Sequence, residues 1–352
     1  MKKIAVIGFS QLPSVRCESN KVDVEMVGPV LVELFEQVGI ERSEVGFTVS
    51  GSTDYLSGIP FSFAHALDAA APWPPTPESH VEMDGAWAFY EAWVKLQLGE
   101  TDIALIYSFG KSSTPDDLVD VLTHQMDPYT IAPLGVDSIS LAALQAQALL
   151  DEGNYTERDF AEVALRNRRR AKSNPYAQVK GDFDVNEALE SPYIASPLRK
   201  HDCPPISDGA AAMLIASEDV AKNVCERPAW IQALDHRIDV HQPGFRNLTK
   251  SPSVTMATEV TGVHRDKIDV AELYAPFSHQ ELIVREAMGL DEDTLVCPSG
   301  GALAAHPIMS AGLIRVGEVA NRIWNGSVDR GVAHATSGSC LQQNLVTVLE
   351  GT

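Results

Sequence analysis

Two sets of side chains in this 352-residue chain are of types that do chemistry. The first is five cysteines, Cys17, Cys203, Cys225, Cys297 and Cys340. They are scattered and have no Cys-x-x-Cys spacing, so they suggest no zinc site or other metal site and no disulfide framework. An odd count of unpaired thiols fits a reducing, cytoplasmic compartment. The second is Arg166-Asn-Arg-Arg-Arg170 with Lys172, a dense basic cluster in a chain of 27 Lys+Arg against 48 Asp+Glu. A net charge of −21 repels nucleic-acid phosphates and anionic lipid surfaces, so a small anion would need a local basic island. The cluster reads either as a solvated helix end favoured by the C-terminal dipole, or as such a phosphate-binding island.

The elements that must position these groups alternate between strand and helix, the α/β pattern. Ile4–Ile7 predicts a first strand; its apolar run is too short for a signal peptide and enters Gly8-Phe9-Ser10. Val22–Val38 carries apolar residues at helical spacing and stops at Gly39. Val45–Val49 predicts a strand, proline-rich Ala69–Ser79 a loop, Gly85–Leu98 a buried helix closed by Gly99, and Ile103–Phe109 an apolar strand. No stretch has the apolar length of a transmembrane helix.

The same arrangement returns near the C-terminus, with a helix over Ala311–Ile323, a stop at Gly326 and a strand over Val332–Thr336. Gly99-Glu-Thr-Asp102 precedes one strand and Gly326-Ser-Val-Asp329 the other. Val254–Val260 leading to Ile268–Leu273 matches Val22–Val38 and its following strand in outline. Two related halves are therefore expected. They are residues 1–111 with 205–220 as the N-terminal half and 221–352 as the C-terminal half. An inserted loop domain, 112–204, carries helices over Val136–Leu150 and Glu157–Lys172.

Several segments in order resemble the thiolase superfamily, in particular its sterol-carrier or lipid-transfer type. They are Arg166-Asn-Arg-Arg-Arg-Ala-Lys-Ser-Asn-Pro-Tyr-Ala177, Ser196-Pro-Leu-Arg199, Cys203-Pro-Pro-Ile-Ser-Asp-Gly-Ala-Ala-Ala212, Glu272-Leu-Tyr-Ala-Pro-Phe-Ser278, and Gly300-Gly301 with His306-Pro-Ile-Met-Ser-Ala-Gly312. The resemblance covers nearly the whole chain. It implies a five-layer αβαβα sandwich of two related halves with an inserted loop domain.

The resemblance also implies which positions carry the chemistry. The family's acyl-accepting cysteine opens a Cys-x-x-Gly segment at the N-terminus of a buried helix, where the dipole favours a thiolate. The matching segment here is Glu82-Met83-Asp84-Gly85, and none of the five cysteines falls in it. Glu82 is either a capping carboxylate or a catalytic base, and Asp84 has a stronger case as an N-cap. Tyr274 stands first in Tyr274-Ala-Pro-Phe277, where the family polarises the thioester carbonyl; it is either a hydrogen-bond donor there or a packed core tyrosine. His306 matches the family histidine, although Met309 stands where the family has glycine and the interval after Gly301 is shorter. The family's Cys-x-Gly-Gly is represented by Gly338-Ser339-Cys340, and its cysteine falls on Gly338.

Two functions fit. One is a retro-aldolase cleaving a β-hydroxyacyl-CoA, such as a degraded steroid side chain, without an acyl-cysteine. In it Tyr274 or Glu82 takes the hydroxyl proton, and His306 with backbone N–H groups stabilises the enolate. The other is a non-catalytic subunit paired with an active thiolase-like chain. Both imply a homo- or hetero-dimer with a thiolase-like chain and a zinc-ribbon/OB-fold partner protein. CoA enters as part of the substrate, with Arg166, Arg169 and Lys172 as candidate contacts for its phosphates, and no separate bound cofactor is expected.

Overall fold

The computed structural model describes residues 2–351. Ten strands form one sheet: β1 (Ile4–Gln11), β2 (Phe47–Gly51), β3 (Glu78–Val81), β4 (Ile103–Lys111), β5 (Asp208–Ser217), β6 (Ala229–Ile238), β7 (Val270–Leu273), β8 (Leu295–Val296), β9 (Arg330–Ser337) and β10 (Gln343–Glu350). Outward from the β1–β6 pair, one half reads β1-β5-β4-β2-β3 and the other β6-β10-β9-β7-β8. In each half the order is first, fifth, fourth, second and third strand, so the halves are the same topology twice. In both, the fifth strand pairs antiparallel with the fourth, and the second pairs parallel with the third and fourth.

The helices sort into layers by the strand faces they cover. Helix α1 (Asp23–Val38) lays Met26, Val30, Leu31 and Leu34 on Ala5, Ile7, Leu105 and Leu214 of the first half. Helices α2 (Gly85–Leu98) and α3 (Ala311–Trp324) lie between the halves: Ala86, Phe89 and Ala92 share one core with Leu313, Val316 and Val319. Ile4, Val6, Val49, Val270, Ala333 and Leu345 close that core from both halves. The second outer face is covered by Val254 and Ala257 of the Pro252–Thr261 helix and by Ile283, Val284 and Met288 of the Ser278–Met288 helix. Successive residues of β1 thus enter different cores, which is why these strands are apolar throughout instead of alternating. The layers are helix, strands, helices, strands, helix.

One expectation is corrected, and one helix had not been expected. The proline-rich segment is loop only in its middle, because Ala64–Ala70 is helical and Glu78–Val81 forms β3 against β2. The Ser278–Met288 helix escaped prediction because His279, Gln280 and Glu281 are polar yet buried, which erases the apolar periodicity.

Candidate functional site

The two inner helices begin at one carboxylate. Asp84 is the N-cap of α2, and its Oδ1 accepts from the N–H of Ala86 at 2.8 Å. It also accepts from the first turn of α3: Oδ2 from the Gly312 N–H at 2.9 Å and Oδ1 from the Leu313 N–H at 3.1 Å. One side chain therefore satisfies N–H groups of two helices, which otherwise lack partners at a buried end. Gly312 is required at this approach, since a Cβ there would lie 2.5 Å from Oδ1. Burial raises the Asp84 carboxyl above its ordinary value, against the pull of the Gly312, Ala86 and Leu313 N–H groups and of Arg315.

Tyr274 leaves the end of β7, its backbone N–H donating to the His334 carbonyl on β9 at 3.1 Å. His306 lies in the turn before α3, its backbone N–H donating to Ser207 Oγ at 3.0 Å. The two side chains meet, with Tyr274 Oη 2.8 Å from His306 Nε2. Glu272, fully buried, fixes both approaches. It accepts from the Ser299 N–H at 2.8 Å and Oγ at 2.7 Å, and from Arg315 of α3 at 3.0 Å. Burial, with a smaller contribution from Arg315, pushes His306 down to about 4, and burial also holds Tyr274 well above the ordinary tyrosine value. At neutral pH the pair is a neutral imidazole bonded to a neutral phenol, able to pass a proton in either direction.

Tyr274, His306, Asp84 and Glu82 line a cavity of about 530 Å³. Its other walls are mainly apolar, including Leu118, Leu122, Met126, Ile139, Pro205 and Phe277. Glu82 is the exposed member. Its Oε1 accepts from Thr53 Oγ1 at 2.8 Å and the Asp54 N–H at 2.6 Å, and its Oε2 lies 3.1 Å from His80 Nε2. One wall is the turn Gly338–Leu341, in which Gly338, Cys340 and Leu341 all have a left-handed backbone (φ 73°, 53° and 59°). The Cys340 N–H finds no acceptor among the described residues. Cys203 and Cys340 also line the cavity, but burial pushes their thiols up to about 12 and about 11, so both are protonated.

The chain thus brings Tyr274, His306 and Glu82 into one cavity and places Arg166, Arg169 and Lys172 outside its lining. Arg166 donates to buried Glu281, and Arg169 and Lys172 share Asp182 on the surface. No cluster of three or more metal-ligating side chains occurs among the described residues. Sequence reasoning missed the reach of Asp84 to α3 and the position of Tyr55 in the lining. An Asp before a predicted helix is a readable cap, but its second helix is 228 residues away.

Residues 235–348 match the family model described as thiolase, C-terminal domain. The chain is 26% identical to an acetyl-CoA acetyltransferase of Methanothermobacter thermautotrophicus, over 92% of this chain and 91% of that protein. It is 28% identical to the benzoylsuccinyl-CoA thiolase subunit BbsB of Thauera aromatica, over 57% and 60%. Among solved structures it superposes on the Ltp2-ChsH2(DUF35) aldolase with a TM-score of 0.83 at 19% identity, covering 99% of this chain and 98% of that one. These matches support the thiolase superfamily, and with the duplicated layers they identify the architecture: the chain has the thiolase fold.

Proposed function

We propose that the chain acts on acyl-CoA thioesters as a retro-aldolase, cleaving a β-hydroxyacyl-CoA without an acyl-cysteine intermediate. The observation that carries this reading is the 2.8 Å contact between Tyr274 and His306 inside the cavity. Tyr274 takes the β-hydroxyl proton as it passes its own to His306 Nε2. The Cα–Cβ bond breaks, its electron pair enters the thioester enolate, and the β-carbon leaves as a ketone or aldehyde. His306, a weak base in its buried place, returns the proton through Tyr274 to Cα, giving the shortened acyl-CoA. Backbone N–H groups, the Cys340 N–H first among them, hold the enolate oxygen. Tyr274 stands ahead of Glu82 as the base, because the Glu82 oxygens are already engaged by Thr53, Asp54 and His80.

Relatives named for acetyl-CoA and benzoylsuccinyl-CoA support a CoA thioester substrate, and the aldolase neighbour supports carbon–carbon cleavage. An acyl-cysteine is disfavoured because Glu82-Met83-Asp84-Gly85 opens α2 and the two cavity thiols are protonated. In this reading Arg166, Arg169 and Lys172 contact the CoA phosphates, and CoA enters only as part of the substrate. The steroid side chain remains one example of the acyl group, and the setting is cytoplasmic.

A second reading is a non-catalytic subunit paired with an active thiolase-like chain and a zinc-ribbon/OB-fold protein. Asp84 favours it, since its carboxylate occupies the N–H groups of both inner helices that would otherwise hold a substrate oxyanion. Incubation of the chain with a β-hydroxyacyl-CoA separates the two readings. The first expects release of a carbonyl compound and a shorter acyl-CoA, with Tyr274→Phe and His306→Ala each slowing release by about 10²–10⁴-fold. Cleavage by an assembled complex that is unchanged in both variants overturns the catalytic role and leaves the subunit reading.

A further inference from the structure

The carbonyls of the cavity turn are held one after another from behind. The Arg246 guanidinium donates to the Ser339 carbonyl at 2.9 Å and to the Cys340 carbonyl at 3.0 Å. Asn344 Nδ2 donates to the Leu341 carbonyl at 2.8 Å, and the Asp239 N–H donates to the Gln342 carbonyl at 2.8 Å. Asn344 is itself fixed, its Oδ1 lying 2.9 Å from His334 Nε2 and its Nδ2 2.8 Å from Ser253 Oγ. Such over-determination is what two consecutive left-handed residues with side chains need, since each costs roughly 1–2 kcal/mol. Arg246 supplies two of the four bonds. In a trans peptide the C=O and the following N–H point in opposite directions. Turning the Ser339 carbonyl toward Arg246 therefore turns the Cys340 N–H away from it, and Cys340 lines the cavity.

We propose that Arg246 is a positioning residue for the site: by holding the Ser339 and Cys340 carbonyls it aims the Cys340 N–H at the thioester carbonyl oxygen of a bound acyl-CoA. This rests on the acyl-CoA part of the functional reading and is independent of whether cleavage follows.

The test uses the full chain labelled with ¹⁵N only in cysteine, which gives five backbone amide signals, that of Cys340 identified through Cys340→Ser. Acetyl-CoA is expected to shift the Cys340 amide, and free CoA, which lacks the carbonyl, is not. In Arg246→Ala the acetyl-CoA shift is lost while the Cys17, Cys203, Cys225 and Cys297 amides stay in place, reporting an intact fold. Arg246→Lys, which keeps the charge but not the fork, keeps part of the shift, and added methylguanidinium restores it in Arg246→Ala. A shift of unchanged size in Arg246→Ala overturns the proposal, as does a wild-type Cys340 amide that ignores acetyl-CoA. Where cleavage is measurable, Arg246→Ala is expected to lower kcat by about tenfold or more with little change in KM, a split that lost packing alone would not give. An inert wild-type chain whose Cys340 amide still responds through Arg246 would remove the aldolase reading and leave this one standing.

Discussion

The two halves of the sheet have one topology and opposite chemistry at the same places. After its second strand the N-terminal half continues into Ser52 and Thr53, whereas the C-terminal half presents Tyr274. At the start of its inner helix the first half has Asp84 in extended backbone, all of its role spent on N–H groups. The second half has His306, whose side chain meets Tyr274, followed by Met309 in the left-handed region at φ 77°. After the fourth strand the first half uses Ser113 to bond Asp208, and the second turns through Cys340 with an unclaimed N–H. The shared topology sets where loops converge, while the residue at each place decides which side chains face the cavity. The first half closes its groups on backbone N–H donors, and the second turns Tyr274 and His306 to the cavity.

The largest expected consequence is acid sensitivity centred on the C-terminal half. Burial pushes His306 and His334 down to about 4 and His279 to about 3, so the folded chain keeps all three neutral where the unfolded chain protonates them. Unfolded protein therefore binds more protons below about pH 6.5, and stability falls as pH drops from there through about 4 toward 3. Asp84 acts with the opposite sign, because a raised carboxyl favours the fold as pH falls, and so do Asp23, Glu78, Asp202 and Glu318, while lowered His201 and His236 add to the histidine side. Guanidine unfolding between pH 7 and pH 4 checks this. His306→Asn should make the decline shallower, and a pH dependence identical in wild type and His306→Asn would remove the premise of neutral burial.

Next in size is the N-terminal half's carboxylate. Asp84→Ala leaves the N–H groups of Ala86, Gly312 and Leu313 buried without an acceptor, at a cost of about 3–5 kcal/mol. Asp84→Asn retains an acceptor oxygen and is expected to cost about half as much. Urea unfolding of both separates a cap from a spectator; equal, small losses would mean that the two helices do not depend on this residue.

The basic cluster gives a third contrast, now within one helix end. Glu281 is 1% exposed in its side chain and is held by Arg166 and by Asn167 Nδ2 at 2.8 Å. Arg166→Ala strands that charge and is expected to cost about 3 kcal/mol. Arg169 and Lys172 share exposed Asp182, so Arg169→Ala and Lys172→Ala are expected to stay within about 0.5 kcal/mol. If those two cations meet CoA phosphates, their loss weakens CoA binding in calorimetry while the melting temperature holds. Unchanged affinity in the double variant would return the cluster to a solvated helix end.

These contrasts mark what was legible in the sequence. The inner helices were, because α2 is apolar on nearly every face and closes on Gly99, and α3 repeats the pattern. The recurrence of helix and strand exposed the duplication, since apolar periodicity survives where residue identity does not. Tyr274 and His306 were legible only as places in an ordered set of motifs; their contact depends on β7 and the turn before α3 closing through Glu272, a buried acid with no periodic signature. Arg166 was read by its charge, yet its partner, Glu281, sits 115 residues away on a helix whose buried polar residues hid it. Left-handed backbone at Cys340 and Leu341 had no signal at all, since neither residue type announces a positive φ.

That last feature gives the smallest and most controlled prediction. Cys203 and Cys340 are each 7% exposed, both line the cavity and both are protonated thiols. They differ in backbone: Cys203 is extended at φ −99°, and Cys340 is left-handed at φ 53°. Replacing either by glycine removes a buried thiol, which at residue 340 also donates to the Leu141 carbonyl at 3.5 Å, and adds the same freedom to the unfolded chain. Only at residue 340 does glycine also relieve a left-handed strain of about 1–2 kcal/mol. Cys203→Gly is therefore expected to cost about 2 kcal/mol and Cys340→Gly less than about 1 kcal/mol. Equal losses in paired urea titrations would mean that the turn is unstrained and that Arg246 has nothing to hold in place.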